Sequence, residues 1–385
     1  MLANRVSFRQ LVAAGLTGIC LAASWSFMQQ SSSTGTAATT RQGGGVSVAS
    51  RLPLSSKTSI KMAQVESFWG MFIGDALSMP VHWYYDPYDI KRDFNGWLTG
   101  FVAPKQKHPS SILSISAVGG AGRHGYNTPS DPVIGSVILH DKLKFWTSNK
   151  RSTHYHQGMK AGDNTLNTLV SAQVSLSLMG IEQQSFDEGA FGVILAAYVK
   201  FMTTPGSHDD TYAESFHREF FKDWQTAGSP VLSEEVLAFA DARSKRLMAG
   251  HVDHNMDSIG ALVMPISFIL HFSKIPRDEA AKLAVRLVNL THCSSSICPY
   301  IDLYAKTLHA VVNGEKLKDK AQEALQSKLL GGPSTFKWAQ KYSQAASSYP
   351  EGSEDRLQVY QEAVSHFGLA CYIQGAMTSM FFSCL

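Results

Sequence analysis

Asp75 stands inside an otherwise apolar run, GMFIGDALSMPVHW at residues 70–83. A carboxylate on the core-facing side of a helix must be matched by donors or put to use, because an unpaired buried charge is costly. Three more polar clusters fall where helices begin: AGDNTLNT with Asp163, Asn164 and Thr165, SHDDTYAES with Asp209, Asp210 and Thr211, and DHNMDSIGALVMP with Asp253, His254, Asn255, Asp257 and Ser258. Asp, Asn, Ser and Thr are favoured N-cap residues, so each cluster alone reads as a helix cap. Together they have a second reading. Carboxylate, amide and hydroxyl oxygens at several helix starts are how a helical protein would gather hard-oxygen ligands for Mg²⁺ or Mn²⁺. Convergence separates the two, since caps are independent of one another and ligands share a cleft. The expectation is that Asp75, Asp163, Asn164, Thr165, Asn255 and Asp257 meet.

Helices must do the positioning. TLNTLVSAQVSLSLM, FGVILAAYVKFM, YAESFHREFFKDW, PVLSEEVLAFADARSKRLM, DEAAKLAVRLVNL, YIDLYAKTLHAVV, DKAQEALQSKLL and RLQVYQEAVSHFGLACYI all place apolar residues three and four apart, the period of an amphipathic helix. Alternating strand patterns are scarce, and TTPGSHDD, QTAGSP, NGEK and GGPS punctuate the helices as turns. An all-α orthogonal bundle over residues 61–385 follows, with no sheet of more than two short strands. The exception is the Gly/Pro/Ser-rich stretch 103–135, long enough to be functional or disordered. Its GGAGRHG could cradle a phosphate, but no strand-to-helix frame surrounds it.

Composition sets outer limits. The 385 residues are 44% hydrophobic and 17% charged, ordinary globular values that exclude a disordered or fibrous chain. The net charge of +3 comes from the N-terminus, where Arg5, Arg9, Arg41, Arg51, Lys57 and Lys61 all precede the first acidic residue, Glu66. The remaining chain is slightly acidic and lacks the clustered cations a nucleic-acid surface needs. Residues 1–60 read as a targeting leader and linker: an apolar stretch at 11–28 behind two arginines, then QQSSSTGTAATTRQGGG. A membrane anchor is the rival reading of that stretch. A leader of this kind would address an organelle or the secretory pathway, and the folded part is expected to have no stable membrane insertion and to be a monomer. The five cysteines have neither zinc-ligand nor disulfide-framework spacing and read as incidental thiols.

The order of the segments resembles the ADP-ribosylglycohydrolase family. GMFIGDALSMPVHW is similar to the family's opening motif G-x-x-x-G-D-A-x-G-x-P-x-E, and GDNT stands where its T-D-D-T metal motif would be. SFDEGAFGVILAAYVKFM resembles the helix that follows. NMDSIGALVMPISFIL is similar to the cleft segment N-G-x-x-M-R-x-x-P, and LTHCSSSICPYIDLYAKTLHAVV to the T-H segment with its helix. The resemblance implies a metal-dependent hydrolase of ADP-ribosyl glycosidic linkages, acting on an ADP-ribosylated protein or an ADP-ribose-like small molecule. It implies Mg²⁺ or Mn²⁺ held by Asp163, Asn164 and Thr165, a catalytic role for Asp75 and His82, and substrate contacts from Asn255, Asp257, Ser258 and His292.

The departures point to metal binding that is weak or confined to a single site. Asn164 replaces a carboxylate by an amide, Gly162 replaces a hydroxyl, and His82 stands in place of the motif's glutamate. The sequence reaches Leu385 without the family's second metal motif, D-x-D-T, as a C-terminally truncated member would. An inactive ADP-ribose-binding or crystallin-like structural protein is the alternative.

Overall fold

The structure, a computed structural model, describes residues 56–123, 131–148, 152–250 and 256–385, with the backbone alone for 56–61. Most of the expected leader, together with Asp253, His254 and Asn255, lies outside the described residues. Within them β-pairing is limited to isolated bridges, and the chain is all-α, as its periodicity predicts.

Helix α1 (Ser56–Ser78) carries the opening motif, and its second half buries Gly70, Met71 and Asp75 to Ser78. At Ser78 it tightens into 3₁₀ geometry, with Pro80 in the first turn, where its missing N–H cannot continue the α-helical ladder. A 3₁₀ turn over Met79–Val81 leads to His82 and to Trp83, whose φ of 57° is unusual for a bulky side chain. Helix α2 (Pro87–Phe94) is capped by the Asp86 carboxylate, which accepts the Tyr88 N–H at 2.9 Å. Beyond it run loops broken by a kinked turn at Val133–Ser136, where Ile134 and Gly135 leave helical geometry, and by a one-turn helix at Leu143–Trp146.

Helix α3 (Leu166–Ser177) begins after Thr165, whose extended φ/ψ of −72°/163° marks the N-cap. It buries Leu166, Val170 and Val174 along one face, the four-residue spacing of a helix stripe. Helix α4 (Gly189–Thr203) passes close to α6 (Ser233–Met248): a Cβ on Gly192 would lie 2.7 Å from the Ser233 carbonyl oxygen, so only glycine permits the approach. Helix α5 (Ser215–Thr226) buries Phe216, Phe220, Phe221 and Trp224 while Lys222 stays in solvent.

Helix α7 (Met264–His271) is buried from Met264 to Leu270 and packs on α1 and α3, and on α8 (Arg277–Asn289) and α9 (Cys298–Val312). Helices α10 (Leu317–Gln326), α11 (Gly332–Ser347), α12 (Glu354–Phe367) and α13 (Ile373–Phe382) close the far end. One apolar core runs through these layers, and a small satellite of Val81, Tyr84, Ile90, Trp97, Leu98 and Leu357 sits beside α2. Among the described residues no helix is long and apolar enough to cross a membrane.

Candidate functional site

The N-terminus of α3 gathers the polar groups. Its first amides lack helical acceptors and carry the positive end of the helix dipole, which makes them a place for anions. Here the protein supplies its own carboxylates. Asp75, from α1, accepts the Thr165 N–H at 2.6 Å and the Asn164 side-chain amide at 3.0 Å on one oxygen, and the Thr165 hydroxyl at 2.7 Å on the other. Asp210 accepts the next amide, Leu166 N–H, at 2.7 Å. Glu214, the N-cap of α5, accepts the Asn167 side-chain amide and, at 2.7 Å, the Ser258 hydroxyl.

This answers why a carboxylate stands in the apolar run: Asp75 ties α1 to the start of α3. Burial pushes its carboxyl up to about 6 despite the donors around it. Asp210 is equally buried, but the His156 imidazole and the Leu166 and Tyr212 amides outweigh desolvation and hold its carboxyl below the usual range. Glu214 is raised by burial, against the pull of Ser258, Asn167 and Arg218.

Four buried histidines line the other side. His156 Nδ1 lies 2.7 Å from Asp210 Oδ1, and His156 Nε2 lies 2.5 Å from His82 Nδ1. His82 Nε2 is buried with no hydrogen-bond partner. His108 and His154 stand behind, 2.6 Å from the His82 carbonyl and 3.0 Å from the Pro80 carbonyl respectively. Burial and the neighbouring imidazoles hold His82 well below the ordinary histidine value, and His108 is lowered to about 4 and His154 to about 3.

These groups surround a small cavity of about 30 Å³ whose walls include His82, Trp83, Asp210, Tyr212, Glu214 and Cys371. That space holds a few water molecules or the reacting end of a ligand. One wall is closed by the segment before α13: Ile259 N–H donates to the Cys371 carbonyl at 2.8 Å, and Ile373 N–H to the Asp257 carbonyl at 3.0 Å. A larger groove of about 70 Å³ between α1, α9, α10 and α13 is mostly apolar and apart from these clusters.

Residues 59–382 match the ADP-ribosylglycohydrolase family. The chain belongs to that family. No curated protein and no solved structure matches it. The membership supports a glycohydrolase type of function for this chain, in a family that is generally metal-dependent.

The site residues named from the sequence divide by position. Asp75, Asn164 and Thr165 meet directly, and Ser258 reaches the same pocket through Glu214. Asp163 is adjacent but turned to its own loop, where its carboxylate accepts the Lys160 N–H at 2.7 Å. Asp257 accepts the Ser294 hydroxyl at 2.6 Å. His292 is buried and stacks on Phe216 at 3.7 Å between ring centroids, with burial lowering it to about 3. Asn255 lies outside the described residues.

The donors present do not fit a divalent ion. Both Asp75 oxygens, one Asp163 oxygen and the Thr165 hydroxyl proton are engaged within the protein. Among the described residues no group of three or more His, Cys, Asp or Glu is arranged to hold a metal. The GGAGRHG loop is likewise filled in its described part, where Ala121 N–H donates to the Glu219 carboxylate at 2.7 Å.

Sequence reasoning missed His156, Glu214 and Asn167, and named Asp210 only as one of a polar cluster that could cap a helix or help to hold a metal. The signal was present. THYHQG places two histidines on alternate residues in a stretch with no helical or strand period, and both are buried.

Proposed function

We propose that this chain hydrolyses the glycosidic bond between ADP-ribose and its acceptor, a modified protein side chain or a small molecule, in the pocket at the start of α3. The observation that carries the reading is that a free base and a buried acid line one pocket in a member of a glycohydrolase family: His82, neutral and with Nε2 unpartnered, and Glu214, its carboxyl raised by burial. Hydrolysis needs both. As the bond from the anomeric carbon breaks, its electron pair goes to the acceptor atom, which takes a proton from Glu214. Water forms the new bond to that carbon and gives its proton to His82 Nε2.

Asp75 acts through Thr165 and Asn164 as a positioning residue, and Ser258 tunes Glu214 from the α7 side. Mg²⁺ or Mn²⁺ would have to displace hydrogen bonds inside the protein to reach Asp163, Asn164 or Thr165, so the metal dependence general in the family is read here as weak.

The test is release of ADP-ribose, followed chromatographically, from arginine- and serine-linked ADP-ribosyl peptides and from ADP-ribosyl small molecules, with Mg²⁺, with Mn²⁺ and with chelator. Release that survives the chelator and falls at least about 10²-fold in Glu214→Gln is expected. Binding of ADP-ribose without release would leave an ADP-ribose-binding or structural helical protein, and the hydrolase reading would be lost.

A further inference from the structure

The four imidazoles fall into two kinds. His108 uses both ring nitrogens on the main chain: Nε2 donates to the His82 carbonyl at 2.6 Å and Nδ1 accepts the Ser110 N–H at 3.1 Å. His154 does the same, with Nε2 donating to the Pro80 carbonyl at 3.0 Å and Nδ1 accepting the His156 N–H at 3.0 Å. Each is fixed as one neutral tautomer and has no lone pair to offer.

His82 and His156 are wired differently. The Asp210 carboxylate can only accept, so His156 Nδ1 carries the proton between them. A neutral His156 then has a bare Nε2, and the 2.5 Å approach to His82 requires the proton there to sit on His82 Nδ1. That leaves a lone pair on His82 Nε2, the buried atom with no partner, on a residue that lines the pocket. The run from Asp210 through His156 to His82 therefore has one direction, and its open end is at the pocket.

We infer that His156 and Asp210 make His82 a relayed base, in which a proton enters at His82 Nε2 and its charge comes to rest on His156 beside Asp210. As water gives a proton to Nε2, the proton on His82 Nδ1 crosses to His156 Nε2. His82 ends neutral in its other tautomer, and His156 becomes an imidazolium with both nitrogens protonated. The surroundings favour that resting place. His82 faces three imidazoles, of His108, His154 and His156, and no carboxylate. His156 faces His82 and His154 but also two carboxylates, Asp210 in contact and Asp75 beyond it. Glu214, with Arg218 as its charged neighbour, lines the same pocket. The relay rests on the pocket being the site of hydrolysis, but its protonation pattern exists without turnover.

His156→Gln separates the relay from mere packing. A glutamine can accept from His82 Nδ1 and donate to Asp210, but it cannot take up a proton. On the hydrolase reading, His156→Gln should lower kcat about 10²-fold with KM unchanged, and the acid limb of the pH profile should move to lower pH. An unchanged kcat and limb would overturn the relay. The full chain labelled with ¹⁵N-histidine decides the matter independently of substrate. Near neutral pH, His82 and His156 should both be protonated at Nδ1 only, with a far-downfield proton from the bond between the two rings. On acidification, His156 should become the imidazolium while His82 moves its proton from Nδ1 to Nε2. A cation on His82, or His82 already protonated at Nε2, overturns the relay even if hydrolysis is observed. The expected spectra with no hydrolysis keep the relay and remove the hydrolase reading.

Discussion

Asp75 and Asp210 take adjacent backbone amides at one helix N-terminus, are both almost completely buried, and shift in opposite directions. The common features, burial and an amide donor, cannot explain the difference. What differs is the other oxygen. Asp75 holds a hydroxyl there, and Asp210 holds an imidazole N–H and a second backbone amide. A hydroxyl can reverse and donate or accept as the carboxyl changes charge, whereas backbone amides only donate. The α1 side of the site thus tolerates a neutral group, and the histidine side demands an anion.

The sharpest way to break this contrast is to exchange each aspartate for asparagine. In Asp210→Asn the new NH₂ must face either Leu166 N–H or the pair formed by Tyr212 N–H and His156, and the loss should be about 3 kcal/mol or more in urea unfolding. In Asp75→Asn the amide oxygen can keep the Thr165 and Asn164 donors while the NH₂ donates to a reversed Thr165 hydroxyl. Its stability near pH 7 should equal or exceed that of the wild type. Equal losses in the two variants would show that burial alone governs both positions.

The pH dependence of stability should part the two next. The folded-state value of Asp75, about 6, lies above its ordinary 3.8, so the folded chain binds this proton more tightly. Its contribution falls as pH rises through that window, by roughly 3 kcal/mol, and Asp75→Asn should abolish that fall. Asp210 has the opposite sign. Its folded value is lowered, so its stabilisation is present above the ordinary value and is lost as pH falls through the folded one. Unfolding midpoints of the wild type and Asp75→Asn between pH 4 and 7 would measure the first effect.

A smaller change sharpens the picture at Glu214. Ser258→Ala removes one donor to a buried carboxyl, costing about 1 kcal/mol and raising that carboxyl further. The alkaline limb of any hydrolytic pH profile should move up. The smallest expected effect is at Asp163, which holds only the Lys160 amide. Asp163→Ala should cost about 1 kcal/mol or less and leave Mn²⁺ affinity, measured by calorimetric titration, unchanged. A large fall in Mn²⁺ affinity would show that this turn reaches a metal after all.

The helical class was legible because a 3.6-residue period is written locally, as in Leu166, Val170 and Val174 or the aromatics of α5. The importance of Asp75 was legible for the opposite reason: it violates the local pattern, and its partners Asn164 and Thr165 came from a second such cluster. Asp163 marks the limit. Cap and ligand are spelled with the same residues, and only geometry shows that this carboxylate turns back to its own loop. The histidine run was hidden because its members occupy irregular backbone, where spacing carries no information about which side chains meet.

The closing of the pocket by Cys371 and Ile373 against Asp257 and Ile259 brings His82 and Cys371, from distant parts of the described chain, onto one wall. Contacts so remote in sequence carry a loop-closure cost that the rest of the fold must offset. The pocket is complete only when both segments are docked. A molecule that binds there selects the complete fold over every unfolded form and raises the melting temperature of the whole bundle by mass action. Occupancy and lifetime of the folded chain are then a single linked quantity.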